Sequence, residues 1–139
     1  MVDVPQRFAD QFAAMEKRLL IVDDDVPLTR LVALTADTLG IHTVQVNDPA
    51  CALDSFVALR PQVIILDIVM PEQDGIDVLN EVLLTGIPTQ VVLTTGGGED
   101  LLRLAQDAIR FHGMAEAPVL QKPFRRAELV EVLGVFFTS

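Results

Sequence analysis

Five short apolar runs punctuate the chain: Leu19-Leu20-Ile21-Val22, Ile41 to Val46, Val63-Ile64-Ile65-Leu66, Val91-Val92-Leu93 and Pro118-Val119-Leu120. Turn chemistry bounds each of them, and their length predicts strands. Between the runs the period changes. Leu28, Leu31, Val32, Thr35 and Leu39 recur at helical spacing, as do Leu101, Leu104, Ala105, Ala108 and Ile109, and finally Leu129, Val132, Leu133 and Phe136. Asn47-Asp48-Pro49 reads as a helix start, with a capping side chain and a proline in the first turn. The first, third and fourth runs are almost continuously β-branched or Leu, which suits strands covered on both faces. Strand-helix repeats of this kind predict an α/β fold, a three-layer sandwich around a five-stranded parallel sheet. In such sheets ligands bind beyond the carboxyl ends of the strands, where strand order reverses.

Residues 1–16 stand ahead of the first strand, and Phe8, Phe12 and Met15 fall at i, i+4 and i+7. They predict a short N-terminal helix resting on its own domain, with docking or dimerisation as the other use. Residues 17–139 form the domain proper. A chain of 139 residues, 50% of them hydrophobic, supports one compact core and leaves little room for a second.

Charge and composition narrow the function. The formal charge of −10, with no Trp or Tyr and seven Phe not interleaved with basic residues, argues against direct nucleic-acid binding. It favours a protein or a cation as partner. No apolar run approaches the roughly 20 residues that span a bilayer, and the N-terminus lacks a secretory pattern. Cys51 is the one cysteine, so no intrachain disulfide or thiolate zinc site is expected, and a reducing cytoplasm is the expected location.

The strand ends carry the candidate chemistry: Asp23, Asp24 and Asp25 after the first, Asp67 after the third, Thr94 and Thr95 after the fourth, Lys122-Pro123 after the fifth. Carboxylates converging on one rim repel one another unless a cation lies between them. A hard divalent ion fits, and a shallow acidic rim suits Mg²⁺, which keeps waters and phosphate oxygens among its ligands. Asp67 could then act as a nucleophile forming an aspartyl phosphate, with Lys122 and the hydroxyl of Thr94 contacting phosphoryl oxygens. Taken singly, Asp23 to Asp25 read as a solvated turn or cap, Asp67 as a cap, Thr94 as a strand end and Lys-Pro as a turn. Their occurrence together at four strand ends is what those readings explain poorly.

LLIVDDD, VIILDIVMPEQDGIDVL, VVLTT and LQKPF, in this order, resemble the receiver domain of bacterial response regulators from about Lys17 to the C-terminus. The segment Asp67-Ile68-Val69-Met70-Pro71-Glu72-Gln73-Asp74-Gly75 carries most of the specificity. The resemblance implies a flavodoxin-like sheet of order 2-1-3-4-5. It also implies Asp67 as phosphoacceptor and a magnesium ion, replaceable by Mn²⁺. The metal's ligands would be Asp24, Asp67 and the Val69 main-chain carbonyl, with Asp23 acting largely through water. Thr94 matches the mobile hydroxyl, Lys122 the salt-bridging lysine, and the bond before Pro123 would be cis. The implied partners are a histidine kinase or phosphotransfer protein and an output domain or protein, with no membrane partner and a homodimer left open. LLRLAQDAIRFHG with LQKPF further resembles receivers fused ahead of cyclic-di-GMP phosphodiesterase domains.

Two departures and three rivals complete the reading. Val119 stands where many receivers place an aromatic switch, and Gly96-Gly97-Gly98 replaces a short polar turn. Neither Val69 nor Gly96 can orient a water by side-chain hydrogen bonding, so slow hydrolysis is expected. A haloacid-dehalogenase-type phosphatase would use Asp23 and Asp25 as its acid pair but leaves Asp67 unexplained. A flavin module would want aromatics that are absent, and an inactive receiver would not need every chemical position filled.

Overall fold

The computed structural model describes residues 17–71 and 75–137, so the expected N-terminal helix and residues 72–74 of the Asp67 loop lie outside the described residues. Five strands, β1 (Arg18–Val22), β2 (His42–Val46), β3 (Val63–Asp67), β4 (Gln90–Thr95) and β5 (Val119–Gln121), alternate with five helices. The helices are α1 (Val26–Thr38), α2 (Ala52–Leu59), α3 (Gly75–Leu84), α4 (Glu99–Phe111) and α5 (Arg126–Phe136). All strand pairs are parallel, in the order β2-β1-β3-β4-β5. This is the flavodoxin-like arrangement expected from the sequence.

Alternation along the strands builds two cores. Leu20, Val22, Ile64, Leu66, Val91 and Leu93 pack with the apolar sides of α2, α3 and α4. Leu19, Ile21, Val63, Ile65, Val92 and Leu120 face the other way, onto Val32 and Ala36 of α1 and Leu129 and Leu133 of α5. Strands covered on both faces need apolar residues at every position, which is why β1 and β3 read as unbroken runs. Residue pairs Val22–Leu66 and Asp67–Thr94 are in register, so the carboxyl ends of the central strands lie level. From β1 the chain crosses to β2 on one side and β3 on the other, and the rim at that reversal collects the polar residues.

Local chemistry sets the element ends. Asp25 caps α1 by accepting the Leu28 amide at 3.1 Å. Asp48 caps a short 3-10 turn at Pro49–Cys51 that leads into α2, as the Asn-Asp-Pro pattern implies. Deep in the α4 side, the Gln106 amide clamps both backbone groups of Ala117, at 2.8 and 2.9 Å, and so fixes the approach to β5. No helix among the described residues is long and apolar enough to cross a membrane.

Candidate phosphoacceptor and metal site

Three aspartates meet at the rim. Asp23, Asp24 and Asp67 each offer a carboxylate oxygen, and these atoms lie within 4.8 Å of one another. Asp23 is the innermost, with 0% of its surface exposed. Its Oδ1 accepts the Asp25 amide at 2.9 Å, and its Oδ2 lies 2.6 Å from Lys122 Nζ. Asp67 ends β3, and its Oδ1 accepts the Val69 amide at 3.0 Å while Oδ2 accepts from Lys122 Nζ at 3.1 Å. Lys122 therefore bridges the two buried carboxylates. Its backbone amide is fixed on the Thr95 carbonyl at 2.8 Å, and the peptide bond to Pro123 is cis, as the resemblance implied. Asp24, between two engaged neighbours, points its carboxylate outward.

Electrostatics follow from this burial. Desolvation raises the Asp23 carboxyl above its ordinary value of 3.8, and the nearby Asp67 charge adds to it. Hydrogen bonds from Lys122 and the Asp25 amide only partly offset that rise. For Lys122, burial pulls the ammonium down, but its bonds and charge pairing with Asp23 and Asp67 outweigh the burial and leave it above 10.5. Two acids share one cation, so the cluster carries an excess of negative charge. A hard cation beside Asp24 and Asp67 would relieve it, and the all-oxygen donor set is the chemistry Mg²⁺ takes.

A cavity of about 710 Å³ opens over this cluster. Asp24, Asp67, Lys122 and Val69 line it, and the wall opposite is the Gly96-Gly97-Gly98 loop. Asp23 does not reach it. The loop contributes no side chains, and Gly98 turns into α4 with φ 82°, a backbone conformation that glycine adopts without cost. On the far side of Asp67, the Gly75 amide bonds the Ile68 carbonyl at 3.2 Å, which places the start of α3 directly against the Asp67–Ile68 backbone.

The two threonines separate. The sequence pointed to Thr94 because it follows the expected strand, but β4 runs on through Thr95. Thr94 is in register with Asp67 and carries a buried hydroxyl without a hydrogen-bond partner among the described residues, and neither threonine lines the cavity directly. Thr95 faces the other side of the sheet, and its hydroxyl both donates to the Gly97 carbonyl and accepts from the Gly97 amide, on the cavity wall. Sequence reasoning also passed over Asn47. Its side-chain amide donates to the Asp23 carbonyl and to Thr29 Oγ1, each at 2.9 Å.

Comparison with known proteins bears on this geometry. The family described as response regulator receiver domain matches residues 19–134. The chain is 29% identical over 117 residues to the DNA-binding response regulator MtrA of Mycobacterium tuberculosis, covering 84% of this chain and 48% of that protein. It thus spans about half the length of such relatives. It is also 29% identical over 114 residues to the response regulator receiver protein CpdR of Brucella abortus, covering 82% of this chain and 91% of that one. The crystal structure of the chemotaxis protein CheY4 of Vibrio cholerae superposes with a TM-score of 0.74 at 23% identity, covering 87% and 98% of the two chains. That likeness supports the fold.

Proposed function

The chain belongs to the response regulator receiver domain family, and from that premise we propose that it accepts a phosphoryl group on Asp67 from a histidine kinase or phosphotransfer protein. The observation that carries the reading is the Lys122 bridge at the floor of an open cavity, with Asp67 at one end and Asp24 beside it. In the transfer, a carboxylate oxygen of Asp67 attacks phosphorus in line, the P–N bond to the donor imidazole breaks, and the imidazole takes up a proton as it leaves. Lys122 then holds a phosphoryl oxygen while remaining beside Asp23. Asp24, Asp67 and the Val69 main-chain carbonyl are the groups that would hold Mg²⁺, with Asp23 behind them; the ion, when bound, neutralises charge on the phosphoryl oxygens.

A hydroxyl at the end of β4 would complete the contacts. Thr94 was the expectation and we keep the contact there: it is in register with Asp67 and its buried hydroxyl has no hydrogen-bond partner among the described residues, whereas the Thr95 hydroxyl is taken up by Gly97. The product adds charge at the head of α4, and α4, β5 and α5 form the surface that would pass the signal on. Leu104, Phe111 and Val119 are exposed there. The reading makes the domain a phosphoacceptor taking part in its own phosphorylation and dephosphorylation, working in the cytoplasm. Neither Val69 nor Gly96 can orient water, so the aspartyl phosphate is expected to be long-lived.

Asp23 is fully buried, off the cavity, and engaged at both oxygens, which weighs against its use as a phosphatase nucleophile. The test is incubation of the 139-residue chain with a small acyl phosphate and Mg²⁺, followed by intact mass. The parent should gain one phosphoryl group and Asp67→Asn none. Equal gain in both would remove Asp67 as the acceptor.

A further inference from the structure

We infer that Asn47 is a positioning residue for the metal-binding loop, acting through the peptide that carries Asp24. Among the described residues the Asp24 side chain has no hydrogen bond or ion pair, so nothing on the side chain itself fixes its aim. Its direction must come from the backbone at Asp23 and Asp24. That backbone is held from β2, by two consecutive residues. The Asp23 amide donates to the Val46 carbonyl at 3.0 Å, and the Asp23 carbonyl accepts from Asn47 Nδ2 at 2.9 Å. The second bond fixes the plane of the peptide between Asp23 and Asp24.

Asn47 is itself held. The same amide nitrogen donates to Thr29 Oγ1 at 2.9 Å, a fully buried hydroxyl on α1 that in turn donates to the Val26 carbonyl at 3.1 Å. The two N–H bonds of one amide group thus tie the acidic loop to the first turn of the helix that follows it. Only a side chain with two coplanar donors on one nitrogen satisfies both acceptors from the end of β2. Aspartate, nearly the same shape, would set a carboxylate against a carbonyl. Asn47 also lines the smaller cavity on the other side of Asp24, shared with Met70 and Pro71, so the amide sits beside the rim.

Groups that orient metal ligands without touching the metal commonly change metal affinity when removed. This inference rests on the reading of the site as a Mg²⁺ centre, and the experiment separates the two. Mg²⁺ affinity of the full chain, unphosphorylated, is measured by calorimetry and by amide chemical shifts for the parent, Asn47→Ala and Thr29→Val, with urea unfolding alongside. Asn47→Ala should weaken Mg²⁺ binding on the order of tenfold and shift the Asp24 amide resonance in the metal-free protein. Thr29→Val removes only the second bond of Asn47, and should lower stability while leaving Mg²⁺ affinity near the parent's. If Asn47→Ala does not fold, Asn47→Ser carries the same comparison. Unchanged Mg²⁺ affinity in a folded Asn47 variant, or an equal loss in Thr29→Val, would overturn the inference while leaving the metal site standing. A parent chain that binds no Mg²⁺ would overturn both.

Discussion

Gly75 stands against the backbone of Asp67. A β-carbon at position 75 would lie 2.5 Å from Ile68 Cα and closer still to the Asp67 carbonyl oxygen. Both are main-chain atoms at the end of a central strand, so neither can swing aside as a side chain would. The glycine at the end of the Met-Pro-x-x-Asp-Gly segment is required by contact, and the helix it begins is pressed onto the Asp67 backbone. Gly75→Ala is therefore expected to cost at least about 3 kcal/mol in urea unfolding, at the upper end for overpacking. Any folded fraction should phosphorylate poorly, because relief of the clash moves the Asp67 peptide. An alanine variant of parental stability would show that α3 can retreat freely.

Among the described residues Lys122 is the one cation between two buried acids, and its removal leaves both uncompensated. Breaking a buried pair by deleting one partner costs roughly 3–5 kcal/mol. Lys122 is 24% exposed on its side chain, so water recovers part of that. A loss of about 2 kcal/mol is expected for Lys122→Met at neutral pH in EDTA. Added Mg²⁺ should restore more stability to this variant than to the parent, because the ion takes over the neutralisation. Chelator and Mg²⁺ melts of both proteins measure the difference, and an equal response in the two would contradict a shared charge site.

The strands that carry these residues were legible because strands buried on both faces leave uninterrupted runs. The convergence of Asp23, Asp24, Asp67 and Lys122 was legible because residues just after the runs of a parallel sheet share one rim. Asn47 was not: its partners Asp23 and Thr29 lie 24 and 18 residues away, and Asn-Asp-Pro is by itself a sufficient helix start. Asp48 does take that role, which hid the other use of its neighbour. The end of β4 was also out of reach: the strand runs on through Thr95, and nothing in Leu-Thr-Thr-Gly marks which threonine closes it.

The buried Asp23 gives the unliganded protein a pH signature. Its folded value lies above the ordinary 3.8, so the folded state holds the proton more tightly than the unfolded chain. The resulting stability is fully present below the unfolded value and is lost as pH rises through the folded one. Asp23→Asn lacks this step. In EDTA, the variant should therefore gain stability relative to the parent as pH climbs from about 4 towards neutrality. Urea unfolding at a series of pH values reads the difference directly. A gap that stays constant, or narrows with rising pH, would mean that Lys122 compensates the burial of Asp23 in full.

Thr94 and Thr95 make opposite demands on a test. Thr94 keeps a buried hydroxyl without a partner among the described residues, so its replacement by the similarly shaped valine is expected to be neutral or stabilising for the unphosphorylated fold, while taking the hydroxyl away from the Asp67 phosphoryl group. Thr95 instead holds Gly97 through both of its backbone groups, and valine there releases the glycine loop from the end of β4. With the loop freed, Thr95→Val should lose stability yet accept phosphoryl from a small acyl phosphate at close to the parent rate. In amide spectra, parent and Thr95→Val should both show phosphorylation-dependent shifts extending into α4, and Thr94→Val should confine them to the rim. The reverse outcome, with shifts reaching α4 in Thr94→Val and confined to the rim in Thr95→Val, would move the hydroxyl role to Thr95.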